Sequence, residues 1–216
     1  MMEKLVIACE GQHDREFIKK LIQTCNKNFD RIKIEEFINN GKKYENKNNE
    51  TNKLRTFTKC HNNYYLDNNI LIKEERGKSV VLLLIKNIIH ILLSNRNLKF
   101  FVFFDHDAKS KGKDNEKHIY VELFSISNDI KTKFPNTTTS MAINHLISGI
   151  VYEYEMEIET EMGSIKIIFY AFNSSLEEAI NYDKNLQNLD TRIEDFLAVY
   201  ANNFKKSKFA DEIKNL

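Results

Sequence analysis

The chain has little of what would mark a secreted, metal-ribbon or membrane protein. Its three cysteines, Cys9, Cys25 and Cys60, share no C-x-x-C spacing, so neither a disulfide framework nor a zinc ribbon is implied. A single proline, among many Asn, Lys and Ile residues, reads as compositional bias with no mechanism behind it. No leader is expected, because Met1 runs straight into an apolar strand. The longest apolar stretch, SVVLLLIKNIIHILLS, contains Lys86 and His90 and falls short of the about 20 residues a bilayer span requires. A soluble, cytoplasmic protein with no membrane partner is therefore expected. Excess charge is also lacking: the formal net charge is +1, which neither demands nor excludes nucleic acid.

What is present suffices for a core. At 216 residues, 42% hydrophobic and 11% aromatic, the chain fits one domain, 1–216, and is not a disordered one. KLVIAC is a short apolar run suited to a buried strand. DREFIKKLIQTC follows with Phe17, Ile18, Leu21 and Ile22 at helical spacing, and Asp14 as its expected cap. RIKIEEF alternates like a second strand. Residues 39–53 are polar and of low complexity, an expected surface insertion. KCHNNYYLDNNILI is left unassigned.

Ser79 opens a strongly apolar helix to about Ser94. LKFFVFF then reads as a strand buried on both faces, as in a parallel sheet, and a helix is expected through KHIYVELFSISNDI. From Tyr152 to Glu161 apolar and acidic residues alternate with a period of two, which predicts a hairpin over 151–172 with Tyr152, Tyr154, Met156 and Ile158 inward and all five glutamates solvated. Ser174 or Ser175 should cap a helix with Glu177 and Glu178, and an amphipathic helix over about 190–204 closes the chain. The expected fold class is α/β: a mainly parallel sheet flanked by helices, its core over 4–130, with an added C-terminal antiparallel hairpin and helical part over 150–216.

Two acidic clusters stand at strand ends. Glu10 and Gly11 follow KLVIAC, and Asp105 and Asp107 follow LKFFVFF. If these strands are parallel members of one sheet, the carboxylates meet at its carboxyl edge, where open α/β sheets keep their ligands. Carboxylate oxygens without thiolates suit a hard cation, Mg²⁺ or Mn²⁺, and without one they would repel. Gly11 is expected to let the backbone turn sharply there through a positive φ. His13 could approach from the first loop, and Glu177 or Glu178 could add a ligand at the same edge. Lys109, Lys111, Lys113 and Lys117 crowd the segment after Asp107, either as a solvated charge run or as a guide for phosphates.

Together, strand–EGQHD and, far downstream, strand–DHDAKSKG resemble a TOPRIM domain, the module shared by topoisomerases, bacterial primases, the 5S ribosomal RNA maturation nuclease and OLD-family nucleases. The matching residues are Glu10, Gly11 and Asp14, then Asp105 and Asp107, and the resemblance spans about residues 4–130. It implies Glu10 as general acid/base or metal ligand in phosphodiester chemistry, and Asp105 and Asp107, with Asp14, as holders of divalent metal. Lys109 stands where topoisomerases carry a further acidic residue. No domain offers a catalytic tyrosine or a primase-type extension, so the resemblance is closest to small, nearly stand-alone TOPRIM nucleases. The expected activity is Mg²⁺- or Mn²⁺-dependent hydrolysis of DNA or RNA by Glu10, Asp105, Asp107 and Lys109, with Gly11, Lys111 and Lys113 contacting substrate. Two alternatives stand beside it: a silent TOPRIM fold that binds a regulatory or protein partner, a second copy included, and a HAD-like phosphohydrolase built on FFDHD.

Overall fold

The computed structural model describes residues 4–25, 63–66, 70–75, 77–94, 98–106, 115–161, 163–183 and 188–216. The expected strand RIKIEEF and the polar 39–53 insertion lie outside them. In chain order the elements are β1 (Lys4–Cys9), α1 (Gln12–Thr24), β2 (Asn63–Leu66), β3 (Ile70–Glu74), α2 (Lys78–Ser94), β4 (Leu98–Asp105), α3 (Asn115–Lys133), β5 (Thr138–Ile147), β6 (Val151–Thr160), β7 (Gly163–Phe172), α4 (Leu176–Ala179), α5 (Leu189–Phe204) and α6 (Lys208–Asn215).

The strands form one sheet in the order β2-β3-β1-β4-β7-β6-β5. The four central strands run parallel, while β2 and the β6–β5 pair are antiparallel additions at the two flanks. This is an α/β fold. The first apolar run and LKFFVFF are adjacent, with Val6 beside Phe100 and Ile7 beside Phe101. Both are buried along nearly their whole length, because helices cover both faces.

One face carries Leu5, Ile7, Phe101 and Phe103 under α1, α5 and α6, including Phe17, Phe196 and Phe209. The other carries Val6, Ala8, Phe100, Val102 and Phe104 under Val81, Ile85 and Ile89 of α2 and Leu123, Ile126 and Ile130 of α3. The period of two in the strands therefore sends alternate residues to different helix layers.

Three strands went unread in the sequence. β2 and β3 lie in the unassigned KCHNNYYLDNNILI, and β5 lies in TTSMAINHLI. The hairpin is present in the expected residues, but its returning strand β7 is a central one, parallel to β4. Tyr152, Tyr154, Met156 and Ile158 are buried as expected. Two glutamates correct the expectation of five solvated ones: Glu155 has a side chain only 12% exposed, and Glu153 lies deeper still. It is 3% exposed, because α6 closes over it: Glu153 Oε2 accepts from the Tyr170 hydroxyl at 2.6 Å and from the Lys208 N–H at 3.1 Å. Among the described residues no helix is long and apolar enough to cross a membrane.

Candidate functional site

The chain order of the sheet creates a crevice between β1 and β4. β1 leads through α1, on one face, towards β3 on one side. β4 leads through α3, on the opposite face, to the strands on its other side. Adjacent parallel strands whose connections depart in opposite directions leave a gap at their carboxyl ends, the usual ligand position of open α/β sheets. Glu10 and Asp105 are the residues at those ends.

The two are tied directly: Glu10 Oε1 accepts the Asp105 N–H at 2.8 Å. Asp105 Oδ1 in turn accepts the Leu176 N–H at 2.8 Å, which draws the start of α4 to the same edge. Ser175 caps that short helix through the Glu178 N–H, as its sequence suggested. The loop after β3 also closes on Glu10, whose carbonyl accepts the Gly77 N–H at 3.2 Å.

Asp14 arrives from the first turn of α1. It is not the cap. Gly11 occupies that position, and Asp14 Oδ2 accepts the Gly11 N–H at 3.0 Å, the returning half of a capping box. Gly11 corrects a second expectation, for its φ of −160° is ordinary extended backbone. The chain turns into α1 without a left-handed residue, so glycine is not required there for conformation.

The Asp14 carboxyl is 6% exposed, and its Oδ1 is buried with no hydrogen-bond partner among the described residues. Burial, then the charges of Glu10 and Glu177, push its pKa up to about 8. Burial, then Asp14 and Glu10, push Asp105 up to about 9, against the pull of the Leu176 N–H. Each carboxylate thus raises the cost of ionising the next.

His13 and Glu177 complete the rim. His13 Nδ1 lies 2.6 Å from Glu177 Oε1, with the imidazole edge-on to Tyr182. Both were weak candidates in the sequence; only the docking of α4 beside α1 brings them together. Lys78, unremarked in the sequence, lies 2.9 Å from Glu122 and donates to the His106 carbonyl at 3.4 Å. His106 itself is 2% exposed. Cys9 is a buried thiol, as read, its pKa pushed well up by burial and by the charge of Asp14.

Asp107, Lys109, Lys111 and Lys113 lie outside the described residues. Among the described residues no group of three or more His, Cys, Asp or Glu side chains forms a ready cation cage. Part of the reason is visible: one oxygen each of Glu10, Asp14 and Asp105 is engaged by a backbone N–H. The donor set still fits a hard divalent cation. It is all oxygen, it gathers several carboxylates that suppress one another's ionisation, and it includes an unpartnered buried oxygen on Asp14.

Comparison of the chain with protein-family models, with curated proteins and with solved structures finds no match.

Proposed function

We propose that the protein is a Mg²⁺- or Mn²⁺-dependent nuclease of TOPRIM type, hydrolysing phosphodiester bonds in DNA or RNA. One observation carries the reading. Glu10 and Asp105, from the two motifs of the resemblance, meet across adjacent parallel strands at the switch point of the sheet, with Asp14 beside them. A HAD-like site would leave Glu10 and Asp14 without a task.

Glu10, Asp14, Asp105 and Asp107 would hold the cation. When bound, it would supply Lewis acidity towards a phosphate oxygen and towards the attacking water. Glu10 is the group to move a proton at the attacking or leaving oxygen, since its carboxylate is steered by the Asp105 N–H. The Leu176 N–H fixes the rotation of Asp105. Lys109, Lys111 and Lys113 follow Asp107 directly and would draw the phosphate backbone to the edge and offset its charge.

The test is incubation with single- and double-stranded DNA and RNA in Mg²⁺, in Mn²⁺ and in chelator. Cleavage in metal but not in chelator supports the reading, and no cleavage of any substrate with either metal rejects it.

A further inference from the structure

The sheet ends in two unlike edges. Among the described residues β2 closes one edge with only four residues, a short edge of the kind that resists pairing with other chains. The other edge is β5, ten residues long. Its sequence, TTSMAINHLI, contains no Lys, Arg, Asp, Glu, Pro or Gly. From Thr138 to Asn144 its register with β6 is unbroken, so alternate residues turn N–H and C=O groups outward in a regular row. Irregularity begins only between Asn144 and Ile147, where Asn203 of α5 donates to the Leu146 carbonyl. Among the described residues the regular part carries none of the devices that protect an edge strand.

A second observation points to the same place. Ser127 of α3 is hydrogen-bonded to the Thr139 hydroxyl, so this side of α3 borders β5. Phe124 stands one turn before Ser127 on that side and is 46% exposed, with Val121 a further turn back at 59%. An apolar helix flank therefore borders an unprotected edge. Met141 and Ile143 of β5, on the same face, are only partly buried against the core there.

We infer that the protein forms a two-fold dimer by antiparallel pairing of β5 with β5 of a second copy, joining the two seven-stranded sheets into one. The register follows from the apolar pattern. A two-fold axis at Met141 sets Met141 against its own counterpart and Thr139 against Ile143, so both cores extend across the junction. Thr138 then meets Asn144, and Ser140 meets Ala142, on the other face. A strand opposed to its own copy gives a closed interface, and an uncharged strand meets no repulsion in doing so. The glutamates of β6 do not prevent it. They stand one strand back from the junction, and Glu155 and Glu157 are already paired with lysines, Glu155 with Lys166 and Lys208 and Glu157 with Lys166. The flanks of α3 bearing Phe124 and Val121 approach each other over the same axis.

Sedimentation of the full chain, together with two variants, tests this. Wild type should sediment at twice the 25.5 kDa chain mass and dissociate on dilution. The double variant Ser140→Lys/Ala142→Lys sets ammonium groups opposite each other twice across the junction. It should be monomeric with an unchanged circular dichroism spectrum, since both positions are exposed. Met141→Cys should yield a covalent dimer on mild oxidation, while wild type, with its native cysteines, should not. A wild type that stays monomeric at millimolar concentration overturns the proposal. So does a dimer that survives the double variant while Met141→Cys fails to crosslink.

Discussion

The Glu10 carboxylate accepts the backbone N–H of Asp105 at 2.8 Å, a bond between the carboxyl ends of two neighbouring parallel strands 95 residues apart in sequence. It makes the site a property of the strand pair, and each prediction about it tests that joint.

Glu10→Gln and Asp105→Asn should each reduce metal-dependent cleavage by roughly 100-fold or more, the scale of a lost acid–base group. The melting temperature in chelator should be unchanged or higher, because Glu10→Gln removes a charge that opposes the ionisation of Asp14 and Asp105, Asp105→Asn replaces a carboxyl that is already neutral below about pH 9, and both variants keep an acceptor oxygen. Thermal melts beside cleavage rates decide it. Earlier unfolding with activity reduced only in proportion would assign both residues a structural role.

Stability in chelator should fall as pH rises. In the folded chain Asp14 titrates at about 8 and Asp105 at about 9, against about 4 for an unfolded aspartate. Between those limits the native state binds more protons than the unfolded one. The stabilisation is therefore complete below the unfolded value and is lost as pH climbs through the folded values. Melting temperature measured from about pH 5 to about pH 9 should decline, Asp14→Asn should flatten the decline, and Mg²⁺ should raise stability most at the alkaline end. A flat wild-type profile would show that these carboxyls ionise without strain.

Gly11→Ala should shift stability by less than about 0.5 kcal/mol. The backbone there is extended, and the nearest atom to an added Cβ is Asp14 Oδ2 at 3.9 Å. The small loss at a helix N-cap is offset by a stiffer unfolded chain. A loss above about 1 kcal/mol in urea titration would show that an added Cβ disturbs the N-cap or the Asp14 carboxyl beside it.

Glu153→Leu should destabilise the protein by about 2–3 kcal/mol, because it leaves the Tyr170 hydroxyl and the Lys208 N–H without their acceptor in a buried place. Glu157→Leu, on the same strand but partly exposed, should cost far less. Denaturant midpoints of the two variants give the comparison. Equal effects would contradict the burial of Glu153 beneath α6.

The strands that carry the site were legible because their composition allowed one reading. KLVIAC and LKFFVFF are too apolar to be anything but doubly buried, and an acid at the exit of each is a local fact of the chain. The hairpin was legible for a related reason, since a strict period of two over Tyr152–Glu161 excludes a helix. β2, β3 and β5 were not. Their runs are short or polar, and partner strands distant in sequence stabilise them: Tyr64 against Ile72, Leu5 against Ile70, Met141 against Met156.

The sequence by itself determined the core strands, the amphipathic helices and the two acidic strand ends, because periodicity and composition act over a few residues. Only the tertiary structure decided which acids face each other. It set Glu10 beside Asp105 through strand order, brought Glu177 to His13 by docking α4 on α1, and buried Glu153 but not Glu159 because α6 covers one end of the sheet face and leaves the other to water. Contacts of this kind depend on packing between segments far apart in the chain, and no local pattern encodes them.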